Sequence, residues 1–263
     1  MFTLTILGAG PAAPNPAGAC SGYLARDGGA NVLLDCGSGV ASRIAQQLPP
    51  SELRGVVISH LHPDHYFDLV PLYYILKFEP ARPAAPGPRL PVYVPPGGRD
   101  FFARFARLIS DQPDMLDDVF ELTEYAAGRQ LTIGGFTFTF HPVQHYVSSH
   151  AMRLRGPTTA ATLTFSSDAA PCPGLVEAAR GVDLFMCESA ILDRTQDRPD
   201  PADRGHMLAS EAGAIARAAG AQRLLITHYR SGNGYDARHQ EAAQAEFGGE
   251  VELAREGATY TIG

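Results

Sequence analysis

The chain has 263 residues, 45% of them apolar, and a formal net charge of −7. The apolar share is that of a chain with a full core, and the acidic balance argues against broad capture of long nucleic acid, though not against a small anion held by metal. No apolar run is long enough to span a membrane, and Cys20, Cys36, Cys172 and Cys187 lack the C-x-x-C spacing of a thiolate zinc site. They read as small core residues in a reducing compartment.

Residues 2–7 alternate apolar and polar and follow Met1 with no basic leader, so they are expected to form a first strand and not a signal peptide. Cytoplasm is the expected location. The strand breaks at Gly8-Ala9-Gly10-Pro11. A third glycine is missing, and Pro11, Pro14 and Pro16 prevent a helix from opening, which excludes a dinucleotide-binding turn. A hairpin is expected from residues 22–25 and 31–35 around Asp27-Gly28-Gly29. Asp35 then precedes a helix over 40–47, where it either caps the helix or ties down the turn.

The apolar run Gly55-Val56-Val57-Ile58 leads into Ser59-His60-Leu61-His62-Pro63-Asp64-His65. Imidazole nitrogens and carboxylate oxygens suit zinc and similar metals. His60 and His62, two apart on extended backbone, point the same way. Asp64 and His65 lie past Pro63, where the chain has turned, and can face a second centre.

A helix over 66–78, a proline-rich loop over 79–88, a strand over 90–94 and an amphipathic helix over 98–110 follow. Phe101, Phe102, Phe105, Leu108 and Ile109 are expected in the core, and residues 111–118 in an acidic, solvated loop. Residues 130–133 and 136–140 read as paired strands; the Phe/Thr alternation of the second marks a half-buried antiparallel strand that delivers His141 and His145. Either histidine could be a ligand. The strand 162–165 runs into Asp168, a turn residue or a ligand. The strand 182–188 ends in Glu188, a loop brings His206, a helix spans 210–219, and the strand 223–228 ends in His228. A helix over 236–247 carries His239, expected at the surface, and strands over 251–254 and 259–262 close the chain.

The H-x-H-x-D-H run resembles that of the metallo-β-lactamase fold superfamily. The order Glu188, His206, helix, His228 and the segment after His145 are similar to the ribonuclease Z branch, along essentially the whole chain. The resemblance implies an α/β fold, a four-layer αββα sandwich, as a single domain over 1–263. It assigns one metal to His60, His62 and His145 and another to Asp64, His65 and His228, with Asp168 bridging, and puts Asp35 beside the ligands. It prefers His145 to His141. It also places His206, supported by Glu188, over the scissile phosphate.

The expected cofactors are two divalent ions, zinc first, with manganese or iron as alternatives. A dinuclear centre suits hydrolysis by an activated water, with Asp64 also accepting a proton. The expected substrate is a small anionic phosphodiester of the cyclic or short nucleotide type. The alternative is a carbonyl substrate such as a lactone, thioester or β-lactam. Transfer-RNA processing is less favoured, because the long basic arm of that branch is missing and the chain is acidic. A non-catalytic metal scaffold is a further alternative. No membrane partner is expected; a homodimer through Tyr73, Tyr74 and Phe78 is possible, although core packing explains those residues as well.

Overall fold

The computed structural model describes residues 1–80, 87–112, 114–232 and 234–263; residues 81–86, the middle of the expected proline-rich loop, lie outside them. The first half runs β1 (Phe2–Gly8), β2 (Gly22–Asp27), β3 (Ala30–Leu34), α1 (Val40–Gln47), β4 (Gly55–Val57), α2 (Pro63–Tyr66), α3 (Leu69–Lys77), β5 (Leu90–Val94), α4 (Gly98–Ile109) and β6 (Phe120–Glu124). The second runs β7 (Gln130–Ile133), β8 (Phe136–Val143), β9 (Ser149–Arg155), β10 (Thr162–Phe165), α5 (Pro173–Ala178), β11 (Leu184–Glu188), α6 (Ala209–Ala219), β12 (Leu224–Thr227), α7 (Tyr235–Phe247), β13 (Val251–Leu253) and β14 (Thr259–Ile262).

These strands form two seven-stranded sheets, ordered β14-β1-β2-β3-β4-β5-β6 and β13-β12-β11-β10-β9-β8-β7. Both sheets are mixed. The hairpin β2–β3 is antiparallel, with Tyr23 opposite Leu34, while β10, β11, β12 and β13 are mutually parallel.

Successive side chains on a strand point to opposite faces, and here both faces are covered. Leu184 and Met186 of β11 enter the layer between the sheets with Phe2, Tyr23, Phe138 and Phe165. Phe185 and Cys187 turn instead toward α5 and α6. On the other sheet, Leu33 and Val56 pack under α1, α3 and α4. Helix, sheet, sheet and helix therefore stack as the four-layer αββα sandwich expected of the metallo-β-lactamase type.

Four expectations change. The helix over 66–78 is broken between α2 and α3, because the Asp68 carboxylate turns to accept the Ala41 amide at 2.8 Å while its own amide donates to the Cys36 carbonyl at 3.0 Å. Leu108 and Ile109, expected in the core, are 85% and 42% exposed at the end of α4, whereas Phe102 is buried. The acidic stretch buries Met115 and Leu116 in a short 3-10 turn. His239 is 1% exposed rather than solvated; α7 packs that face inward, and Nδ1 of His239 lies 2.9 Å from the Ser189 hydroxyl.

Candidate metal centre and active site

The C-terminal ends of β10, β11 and β12 meet one edge of the sandwich, with Glu188 the last residue of β11 and Asp168 and His228 just beyond β10 and β12. The chain leaving β4 crosses to the other sheet there, with His60 bridged to Ser149. This is the edge where parallel strands release their last residues into loops, so short polar segments from both sheets converge.

His60 Nε2 and His62 Nδ1 lie 3.1 Å apart, and His145 Nε2 is 3.0 Å from the same His62 atom. Three tetrahedral ligands held about 2.05 Å from a zinc would be separated by about 3.3 Å, so both separations from His62 are already close to that spacing. His141 is elsewhere, 3.3 Å from the Thr139 hydroxyl. Asp64 Oδ2 lies 3.5 Å from His65 Nε2 and 3.9 Å from His228 Nε2.

Asp168 stands between the groups. Oδ2 is 3.2 Å from His228 Nε2 and 3.8 Å from His60 Nε2, and Oδ1 is 3.3 Å from His65 Nε2. Two clusters result, His60/His62/His145/Asp168 and Asp64/His65/Asp168/His228, the ligand atoms within each all lying within 4.8 Å of one another. His65 Nε2 and Asp168 Oδ1 are buried and make no hydrogen bond. Buried polar atoms are costly without a partner, and a nitrogen–oxygen donor set of this kind fits a pair of divalent ions.

The ring nitrogens facing away from the clusters are held by the protein, which orients each ring; the carboxylate and carbonyl partners also require a protonated Nδ1. His65 Nδ1 is 2.7 Å from Asp35 Oδ2, and His228 Nδ1 is 2.9 Å from the Ser21 hydroxyl. His145 Nδ1 donates to the Gly205 carbonyl at 2.6 Å. His60 Nδ1 lies 3.1 Å from the Ser59 hydroxyl and 3.3 Å from that of Ser167. Asp35 also accepts from the Ser59 amide at 2.7 Å and hydroxyl at 2.8 Å. It thus ties the His60 turn to His65, and α1 has no side-chain cap from it. Burial opposes the Asp168 carboxylate, but electrostatic attraction to the adjacent His228 and His65 side chains holds it well below the usual carboxylate range.

Glu188 is fully buried. Its Oε1 accepts from the Ala169 amide at 2.8 Å and sits 2.9 Å from His206 Nδ1, and its Oε2 accepts from the Ala190 amide at 2.9 Å. Burial alone would lower the His206 imidazole; the Glu188 charge and hydrogen bond outweigh it and push it up to about 9. The His206 ring lies 5.0 Å from that of His145 and 6.1 Å from that of His228.

Every candidate named from the sequence, His60, His62, Asp64, His65, His145, Asp168, His228, Glu188 and His206, is brought to this edge. Supporting groups that sequence reading missed are Ser59, Ser167, Tyr146, Asp197 and Gly205. The serines flank ligands and could have been suspected for that reason. Asp197, far from any ligand in sequence, has no such mark.

A β-lactamase superfamily domain model matches residues 30–229. An uncharacterised protein of Mycobacterium tuberculosis is 32% identical over 252 residues, covering 94% of this chain and 88% of that protein. The probable metallo-hydrolase YhfI of Bacillus subtilis is 31% identical over 262 residues, 98% of each chain. Its crystal structure superposes with a TM-score of 0.83 at 28% identity, covering 100% of this chain and 99% of YhfI. Ribonuclease Z of Mycobacterium marinum is 30% identical over 278 residues, 97% of each chain. The chain belongs to the β-lactamase superfamily, as a metallo-hydrolase of its ribonuclease Z-like branch.

Proposed function

We propose that this hydrolase cleaves a small phosphodiester, of the cyclic or short nucleotide type. The observation that carries the reading is the Glu188–His206 pair, 2.9 Å apart, beside the two clusters. A phosphodiester in hydrolysis gains charge on its equatorial oxygens and on the leaving oxygen, and a positioned imidazolium suits both. Likeness to a ribonuclease along nearly the whole chain supports the same bond type.

His60, His62 and His145 would hold one divalent ion and Asp64, His65 and His228 the other, with Asp168 shared. Such a pair supplies Lewis-acid charge and makes water ionise near neutral pH. Zinc is the first choice for this donor set, with manganese or iron as alternatives. The chain's own residues do the rest. Glu188 fixes His206 through Nδ1, leaving Nε2 to meet the substrate and give its proton to the departing oxygen. Asp64 accepts the proton of the attacking water. If Asp64→Asn with full metal content turns over at the wild-type rate, Asp64 has no part in proton transfer.

The discriminating assay offers metal-loaded protein bis(p-nitrophenyl) phosphate beside a panel of lactones. Turnover of the phosphodiester is expected. Turnover of lactones alone would reassign the site to carbonyl chemistry, and no turnover of either would favour a metal-binding scaffold.

A further inference from the structure

The segment between Glu188 and His206 carries Asp197, an acid with no counterpart in the mechanism above, yet 8% exposed. Its carboxylate is surrounded by donors. Oδ1 accepts from the Tyr146 hydroxyl at 2.5 Å, the Arg198 amide at 2.7 Å and the Gly205 amide at 3.2 Å. Oδ2 accepts from the Gly205 and His206 amides, both at 3.3 Å, and from Arg204 Nε at 3.4 Å. Arg194 Nη1 lies 3.8 Å from Oδ2.

Two of these partners lead into the site from different directions. Tyr146 follows His145 in the chain, and its ring lies 4.9 Å from that of His145 and 5.5 Å from that of His206. Gly205 precedes His206, and its carbonyl receives His145 Nδ1 at 2.6 Å. The fit between them is close: a Cβ on Gly205 would stand 2.4 Å from Tyr146 Cζ. Arg204 then anchors the segment to the first turn of α6 through both carboxylate oxygens of Glu211, at 2.8 and 2.6 Å.

We propose that Asp197 is a positioning residue that clamps Tyr146 to Gly205, and so sets His145 and His206 relative to one another. Without the clamp, the Gly205 carbonyl no longer fixes the His145 ring, and the His206 backbone loses one of its anchors. Both consequences follow from one carboxylate because the two segments have no covalent connection nearby; Gln144 Nε2 also joins them, donating to the Pro201 and Arg204 carbonyls at 2.7 and 3.2 Å, but it bonds to neither Tyr146 nor the Gly205 carbonyl. The proposal rests on the functional reading only for its activity readout; the clamp itself acts on a ring expected to bind metal.

The test compares Tyr146→Phe, which removes only the hydroxyl, with Asp197→Asn and the double variant. Asp200→Ala serves as control, because Asp200 lies in the same loop and its side chain accepts from the Ala202 amide at 2.9 Å. Cobalt(II) is titrated into metal-free protein, its visible absorption giving both affinity and coordination geometry, with the melting temperature followed in parallel. Each single variant is expected to bind cobalt about 10- to 100-fold more weakly with an altered spectrum. The double variant should be no worse than the poorer single one, since both lesions open one clamp. Turnover of bis(p-nitrophenyl) phosphate should fall in kcat with little change in KM. Wild-type cobalt affinity and spectrum in Tyr146→Phe would overturn the proposal, whatever the behaviour of Asp197→Asn, which could also fail by misfolding. If the wild-type protein hydrolyses no phosphodiester yet the variants lose cobalt affinity, the substrate reading fails and the clamp stands.

Discussion

Four of the imidazoles in this site direct one nitrogen inward and fasten the other to a named partner: Ser59 and Ser167, Asp35, Gly205 and Ser21. The cost of this order is visible in the backbone, since Asp35, Ser167 and His228 all have positive φ, near 56°, 57° and 49°, a conformation costing about 1–3 kcal/mol for a non-glycine residue. Asp35→Ala should leave His65 buried beside Asp168 with its outer nitrogen unpaired, and lower stability by about 3–5 kcal/mol in urea unfolding. His206→Ala should lower kcat on a phosphodiester by about 10²–10⁴-fold in steady-state kinetics. Asp197 sets an acid limit. Burial opposes its charge, but the Tyr146 hydroxyl and the amides of Arg198, Gly205 and His206 hold it down at about 2. An unfolded aspartate titrates near pH 3.9, so its contribution is fully present above about pH 4 and is lost as the pH falls through the folded value. Asp197→Asn should therefore lose stability relative to wild type at neutral pH, with the difference narrowing between about pH 4 and 2 in an acid-unfolding series.

The elements position these residues by docking on each other's ends. The loop between β3 and α1 seats on α2: the Cys36 amide donates to the His65 carbonyl at 2.7 Å, and a Cβ on Gly37 would lie 1.9 Å from the Asp64 carbonyl oxygen. Gly37→Ala must push α2 outward, with an overpacking cost of about 1–3 kcal/mol, and should lower both the melting temperature and the affinity for metal. Strand patterning was readable where both neighbours obeyed one period. Phe136, Phe138 and Phe140 are all buried, as their alternation with threonine implies. Helix ends were harder. The 66–78 stretch is apolar enough for one helix, and only the reach of Asp68 to Ala41, from another part of the chain, divides it. His239 misled for a similar reason: α7 has few apolar residues to mark its inner face, and the partner that covers it, Ser189, lies 50 residues away.

At the scale of the molecule, the two sheets bury a shared aromatic layer and leave their loops at one edge to assemble the centre. Candidate ligands from His60 to His228 reach the same few ångströms because four different strands end there. The metals, bound only by the folded chain, should therefore stabilise it: at free metal 100-fold above Kd, linkage gives about 2.7 kcal/mol per site. The melting temperature is expected to rise with zinc or manganese concentration and to fall on chelation. A melting temperature insensitive to both would mean that the clusters hold no metal. No helix among the described residues is long and apolar enough to cross a membrane.

Local chemistry alone sufficed for much of this protein. The H-x-H-x-D-H run, Asp168, Glu188 and His228 each stand at or just past the end of a buried strand, and an apolar strand that ends abruptly in polar side chains marks a sheet edge whatever its partners. The αββα architecture was expected only through the resemblance that these motifs carry; the order of strands and helices alone fixes an α/β chain. Tertiary structure decided what depends on partners distant in the chain: the place of His145 beside His62, which the sequence reached only through resemblance, the contacts of Ser21, Ser167 and Gly205 with the imidazole rings, and the ring of donors around Asp197. Those contacts join segments through space, and a carboxylate in a charged loop looks solvated until the fold surrounds it with donors.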